Sequence, residues 1–459
     1  MDDVLTQAAA RVVAARDGGV TTAVRERATL CVMHYLTCAL NGLDLPWSRA
    51  VAGLAHPVTP ASPATMIGAP EGVHGSDAVF ANAVFGQSTL AEDVHLPSLA
   101  HPGSMVIPAA LAAAEQAAAS GTALLSAVAA GYDVLCGIGT ALKTRAFTER
   151  GFRPSGVFGP LGAAAAVSAV LGADQATTAS ALGIAGNTSA GLREWAHTGS
   201  TDVYVHNGFA ARNGYLAAQL AGQGISGPPS VLTGAHGMAT AYAGGEVDWA
   251  QARRSWTSPG ALAEISFKRY PVCSGVQAVL ELAVAVRRRR QIAPRHIDSV
   301  TVFTHRHGKT NPGCDHPGPF HGVSQAQMSN QLAVALALSG RRPDVAGFAD
   351  HDQPEVADLA RRVIVVEDET YTRRYPERSS ARLEVRRADG STVVEELDDA
   401  TSLSDAEVIA GFRDAANARL PESAATALMD QASRLDSAAT IAGLVHVLRK
   451  VETPDARRS

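Results

Sequence analysis

The sequence predicts a mainly α protein: a large all-helical domain built from both chain ends, with a smaller α+β segment inserted. Three observations predict it. Through the first 250 residues or so, apolar residues recur every three or four positions in stretches dominated by Ala and Gly. Alternating apolar runs of strand type are confined to about 297–397. Helical periodicity then returns over 403–449. The expected boundaries are 1–264 with 403–459 for the helical domain and 265–402 for the insertion. A chain of 459 residues exceeds what one hydrophobic core usually supports.

Asp2 to Arg16 has helical periodicity and stops at Gly18–Gly19. Thr21–Thr22 then caps a helix that ends at Asn41–Gly42. Cys31, His34 and Cys38 share one face of it, as buried small residues of an apolar helix do. Residues 56–90 are rich in Pro, Gly, Ala and Ser, with a helical signal in DAVFANAVFGQSTL. The stretch Ala91–Glu115 sets Glu92, Asp93, His95, His101 and three prolines before an Ala-rich helix expected to begin at Pro108. The helices that follow, over about 124–192, are so rich in small residues that they should pack closely. Residues 208–237 read as one helix, a Gly-rich turn and a short second helix. Beyond Ser266 come a loop and a helix, a strand at 297–305 and a helix capped by Ser324. Strands follow at 361–369 and 381–397, the second broken by a two-residue hairpin at Asp389–Gly390. Ser404 opens the last helical stretch.

Hydrophobic residues make up 46% and charged residues 18%, with a net charge of −5, which gives no electrostatic footprint for nucleic acid. Arg287–Arg290 end an apolar helical run, where cations suit the helix C-terminus. Five scattered cysteines without a C-x-x-C pair argue against a disulfide framework or a zinc ribbon and fit a reducing compartment. The acidic, amphipathic N-terminus lacks the basic start of a secretory signal. No apolar run reaches about 18 residues without a glycine or polar interruption, so no membrane span is expected. The expected location is cytoplasmic.

No G-x-S-x-G, H-E-x-x-H or P-loop is present, and no G-x-G-x-x-G follows a strand. The available chemistry is acid–base, carried by His, Asp/Glu, Lys and Tyr on loops. His101, before Pro102–Gly103, is the candidate base, because a loop imidazole can titrate near neutral pH. Lys268, Arg269 and Tyr270 precede Pro271 where the α+β segment begins, and cations there could bind a carboxylate. Arg193 follows a Gly-rich helix end. His305, His307, His316 and His321 are too irregularly spaced for a zinc site.

Six stretches in order resemble the MmgE/PrpD family: EDVHLPSLAHPGSMVIPAALAAAE, GVFGPLGAAAAVSAVLG, ALGIAGNTSAGLREW, GFAARNGYLAAQLAGQGISGP, FKRYPVCSGVQAVLEL and SQAQMSNQLAVALAL. The resemblance covers nearly the whole chain. It implies a homodimer, an α+β lid on the helical domain, and a cofactor-free, metal-free site between them for small di- or tricarboxylates. The family's H-P histidine matches His101, and its lysine before an aromatic-Pro matches Lys268. Its acidic run matches in part: Glu92 and Asp93 take the last two positions, and the first aspartate falls on Leu90. The histidine of its G-[FW]-H falls on Arg153. A further lysine falls near Val203, where His206 is the titratable group at hand. The resemblance thus implies a dehydratase-like lyase in which His101 moves a proton next to a carboxylate. Asp93 would orient it, Lys268 and Arg153 would hold carboxylates, and Tyr270 would close the site, with Arg269, His206 and Arg193 as further substrate-binding candidates. The alternatives are an epimerase of a small dicarboxylate, or a catalytically silent dimer.

Overall fold

The computed structural model of the chain describes residues 4–57, 63–257 and 259–453. The expected helix start at Asp2 and part of the Pro-rich stretch (58–62) lie outside them. With 58% helix and, among the described residues, sheets of two and four strands, the fold is mainly α. The chain divides into two compact units, one of Met1–Leu192, Tyr204–Phe267 and Ser404–Ser459, the other of Arg193–Val203 and Lys268–Leu403.

In the first unit, α1 (Val4–Arg16) and α2 (Thr22–Gly42) lead to α3 (Gly75–Gln87). The Thr21 hydroxyl caps α2 by accepting from the Val24 N–H. A two-residue strand, β1 (Val94–His95), interrupts what the periodicity reads as strand-free sequence. It pairs antiparallel with β2 (Ile265–Ser266), and such a short bridge leaves no alternation to read. Next come α4 (Gly103–Gln116), α5 (Gly121–Leu142), α6 (Pro154–Val170) and α7 (Val203–Gly222).

Helix α4 begins five residues before the expected start at Pro108, which lies inside it. Pro102 supplies the N-cap, and Pro108 is the sixth helical residue. Only its own missing N–H, which would bond four residues back, is forfeited. Ahead of Gly234, where a short second helix is expected, residues 229–233 form turns, and a π-helical turn, Ala239–Ala243, follows further on. Helices α5 and α6 pack closely through small residues. A Cβ on Gly131 would lie 2.8 Å from the Gly162 carbonyl oxygen, and one on Gly162 2.7 Å from the Leu135 Cβ. Helix α5 is long and apolar enough to cross a membrane by length and composition, and 89% of its apolar window is buried. It is a core helix whose glycines serve close packing. The C-terminal segment is tied into this unit by Arg419–Asp44 (2.8 Å) and Arg449–Glu115 (2.8 Å).

In the second unit, α8 (Gln277–Arg290) and α9 (Asn330–Leu338) accompany a four-stranded sheet. Its strands are β3 (Ile297–Thr304), β4 (Val363–Glu367), β5 (Ala381–Arg387) and β6 (Thr392–Leu397), in the order β4-β3-β5-β6. β3 is parallel to β4 and antiparallel to β5, which forms a hairpin with β6. The Arg387 N–H bonds the Ser391 carbonyl, so three residues, not two, turn the hairpin, with Gly390 at φ +85°. Ser329, not Ser324, caps α9 by accepting from the Leu332 N–H. Ser324 instead bonds the carbonyls of Gly199 and Ser200. The helix α10 (Asp405–Arg419) opens with a capping box between Ser404 and Glu407.

Candidate active site

His101 lies between β1 and α4, half-buried, with its backbone N–H donating to the Ser155 hydroxyl at 3.1 Å. Its ring Nδ1 is 2.7 Å from the Asp93 carbonyl oxygen. A carbonyl can only accept, so Nδ1 carries the hydrogen and the lone pair of the neutral ring is on Nε2. The Glu92 carboxylate is buried, with Oε1 3.4 Å from the same Nδ1. A proton arriving at Nε2 would make an imidazolium next to that negative charge. Such an arrangement can serve a base: tautomer fixed from behind, compensating charge in place.

Asp93 contributes in a different way from the one expected of it. Its backbone carbonyl meets the imidazole, and the carboxylate near Nδ1 belongs to Glu92. The Asp93 carboxylate accepts from the Gly103 N–H at 3.0 Å and from the Tyr132 hydroxyl at 2.7 Å. Burial, then the Asp93 charge, pushes the Tyr132 phenol well up, so it stays a donor. The N-terminus of α4 further favours the negative charge. Asp93 therefore pins the loop to α4 and aims its own carbonyl. A Cβ on Gly103 would sit 2.9 Å from both Asp93 Oδ1 and the Tyr132 oxygen. Gly103→Ala is expected to displace this anchor and lower kcat by about tenfold or more, with little change in far-UV circular dichroism.

A polar chain inside the small-residue helices joins this loop to Arg153. The Ser104 hydroxyl donates to the His101 carbonyl at 3.1 Å. The Asn207 amide donates to Ser104 Oγ (2.7 Å) and to Gln87 Oε1 (2.6 Å). Arg153 Nη1 donates to Asn207 Oδ1 at 2.7 Å. Arg153 is buried at the N-cap of α6 and brings a five-donor guanidinium suited to a carboxylate. His206 is half-buried beside Asn207 on α7. Tyr204, stacked on Trp47 at 3.8 Å, feels the Glu92 charge, and burial pushes its phenol up. His95 is fully buried between Ser98 Oγ (2.9 Å) and Glu264 (3.1 Å). Burial holds its imidazole below the usual range against Glu264, and its place is structural, across the β1–β2 bridge.

Comparison with known proteins places this geometry in context. Residues 6–250 match the MmgE/PrpD N-terminal domain and residues 270–436 the MmgE/PrpD C-terminal domain. The chain belongs to the MmgE/PrpD family. A cis-aconitate decarboxylase of Aspergillus terreus is 26% identical over 453 residues, covering 93% of this chain and 91% of that protein. A cis-aconitate decarboxylase-like protein of Aspergillus oryzae is 31% identical over 47% of this chain and 46% of its own length. Human cis-aconitate decarboxylase is 30% identical over 46% of this chain and 44% of its own length.

The three positions at which the resemblance implies other residue types, Leu90, Arg153 and Val203, are all buried. Leu90, in place of an aspartate, is buried at φ +57°, a left-handed conformation that costs a Leu about 1–2 kcal/mol. Arg153, where the resemblance implies a histidine, bonds Asn207. Val203 is fully buried where the pattern has a lysine nearby.

The other predicted residues belong to the second unit. Lys268 is buried. Arg269 donates to Thr401 Oγ1 at 3.1 Å and to the Ser402 carbonyl at 3.5 Å. The Tyr270 backbone is clamped by Gln277, which accepts from its N–H at 3.2 Å and donates to its carbonyl at 2.8 Å. Burial, with the Glu281 charge, pushes the Tyr270 phenol up. Arg193 is lowered by burial near Cys273, Cys314 and Tyr375. The first unit thus links His101, Asp93 and Arg153 through that polar chain and also holds His206, and the second holds Lys268, Arg269, Tyr270 and Arg193. Sequence reasoning missed Glu92 as the charge behind His101, and missed Tyr132, Asn207 and Gln87. Glu92 lies on the same loop as Asp93, and Gln87, Tyr132 and Asn207 are buried polar residues on α3, α5 and α7, three helices rich in small residues.

Proposed function

We propose that the protein is a lyase that moves a proton next to a carboxylate of a small di- or tricarboxylate, with His101 Nε2 as the base. The fixed tautomer of His101, with Glu92 behind it, carries this reading. Nε2 would take the proton from the carbon next to a carboxylate. The developing imidazolium is met by Glu92, and the carbanion's charge spreads into the carboxylate held by Arg153. Loss of a leaving group from the neighbouring carbon then completes the elimination. The names of the relatives, all decarboxylases or decarboxylase-like, support a lyase.

A second reading, epimerisation of a small dicarboxylate, is favoured by the positions of Arg153 and Val203. Arginine cannot act as a base at neutral pH and valine has no proton to give, so less acid–base equipment is present than the family pattern supplies. Returning the proton to the opposite face needs no leaving group. Incubation with citrate-like, aconitate-like and aminodicarboxylate substrates, followed by chiral separation and mass analysis, distinguishes the two. A new unsaturated product supports the lyase, and inversion without mass loss supports the epimerase. An unchanged panel would sink both and favour a silent scaffold.

We also propose that a second copy of this chain covers one face of α7, in keeping with the family's dimers. Phe209 (50% exposed), Leu216 (37%) and Leu220 (45%) are seven and four residues apart and so share a stripe, with Ile225 (54%) beyond it. Phe209→Glu with Leu220→Glu is expected to halve the mass seen by light scattering after size exclusion. A native protein of single-chain mass would contradict it.

A further inference from the structure

Three of the five cysteines, Cys31, Cys38 and Cys136, are buried in the first unit. The other two, Cys273 and Cys314, lie 41 residues apart in sequence and side by side in the second unit, their sulfurs 3.8 Å apart. The Cys314 S–H points at Cys273 Sγ, and Asn311 Nδ2 lies 3.5 Å from each sulfur. The His307 side chain and the Gly275 N–H also reach Cys273. The Arg193 guanidinium acts on both sulfurs. Tyr375, whose buried hydroxyl has no partner among the described residues, lies near both. The Cys314 S–H, His307 and the Gly275 N–H converge on Cys273, which is partly exposed, whereas Cys314, which shares Asn311 with it, is fully buried. Backbone ties hold both: the Cys273 N–H bonds the Gln327 carbonyl at 3.1 Å, and the Cys314 carbonyl accepts from the Asn330 side chain at 2.8 Å.

We propose that Cys273 and Cys314 form a peroxide-reactive thiol pair, Cys273 the attacking sulfur and Cys314 the resolving one. The surroundings suit these roles. The Cys314 hydrogen bond, with His307 and Gly275, holds the Cys273 thiol well below its usual range despite its partial burial, while Cys273 and burial hold Cys314 up. The Cys273 thiolate attacks one oxygen of a hydroperoxide. The O–O bond breaks, the second oxygen leaves as hydroxide or alkoxide and takes a proton, and Cys273 becomes a sulfenic acid. The Cys314 sulfur then attacks the Cys273 sulfur, the S–O bond breaks, and hydroxide leaves with the Cys314 proton as water. The two thiols lose two electrons and the peroxide gains them. Closing the sulfurs from 3.8 Å to the ~2.05 Å of a disulfide moves the turn that follows Lys268–Tyr270.

The test uses the full native chain and hydrogen peroxide, with alkylation and peptide mass analysis as the readout, so it does not depend on the proposed catalytic reaction. The expected result is loss of two of five thiols, a Cys273–Cys314 cross-linked peptide, and recovery with dithiothreitol. In Cys314→Ser the cross-link should vanish, and dimedone should trap a sulfenic acid on Cys273. In Cys273→Ser, Cys314 should stay reduced. His307→Gln should slow the native reaction severalfold. Oxidation of Cys273 no faster than of Cys31, Cys38 or Cys136, or no cross-link in the native chain, would overturn the proposal.

Discussion

His101→Ala is expected to lower kcat by about 10²–10⁴-fold on whichever carboxylate the protein turns over, the range that a positioned general base contributes. The whole arrangement around the ring serves one nitrogen. The Asp93 carbonyl takes the Nδ1 hydrogen, and Glu92 supplies a negative charge 3.4 Å away. The Asp93–Gly103–Tyr132 bonds keep that carbonyl aimed. Removing the imidazole deletes the acceptor and leaves the rest intact, so KM should change little while kcat falls. Glu92→Gln keeps the shape and removes the charge, so it should lower kcat by less than His101→Ala does. Steady-state kinetics on the three proteins, with circular dichroism to confirm folding, check this ordering.

Arg11→Ala is expected to cost about 3–5 kcal/mol of stability, although Arg11 lies on the first helix and touches no proposed catalytic group. Its guanidinium donates to the buried Asp133 carboxylate, with Nη2 at 2.7 Å and Nε at 2.8 Å from Oδ2. Asp133 Oδ1 accepts from the Ala261 N–H at 2.8 Å. Even so, burial outweighs these partners and raises the Asp133 carboxyl to about 6. Because the folded value lies above the unfolded 3.8, the contribution is fully present below about pH 4 and is lost as pH rises through about 6. At 1.36 kcal/mol per unit, the shift corresponds to about 3 kcal/mol of stability gained between pH 7 and pH 4 from this group. Without Arg11 the carboxylate should take up its proton at still higher pH. Urea unfolding between pH 5 and 8 should therefore show a larger gain on acidification in Arg11→Ala than in the native chain. Asp133→Asn in the Arg11→Ala background should remove that extra gain.

Much of the helical framework is legible in the sequence because it rests on local signals. The Thr21 cap, the Ser404–Glu407 capping box and the small-residue spacing of α5 and α6 are decided by neighbours in sequence. The misreadings fall where a distant partner decides. Pro108 looks like a helix start, yet Pro102 and the Gly103–Asp93 bond set that start earlier. Ser324 looks like a cap, yet it bonds the carbonyls of Gly199 and Ser200. At the candidate site the loop itself stands out by its crowded ionisable groups. The division of labour between Glu92 and Asp93 does not, because a backbone carbonyl as the partner of His101 leaves no mark in the residue types. The pairing of Cys273 with Cys314 is hidden for the same reason, 41 residues separating two sulfurs that the fold brings together.

His101 is proposed to move a proton at the carbon next to a carboxylate. Its most direct test is solvent exchange: the native protein and His101→Ala are incubated in deuterated water with the candidate di- and tricarboxylates and followed by proton NMR. Deuterium is expected to enter at that carbon with the native protein and not above the solvent background with His101→Ala. Exchange that persists undiminished in His101→Ala, or its absence from every candidate with the native protein, would contradict it.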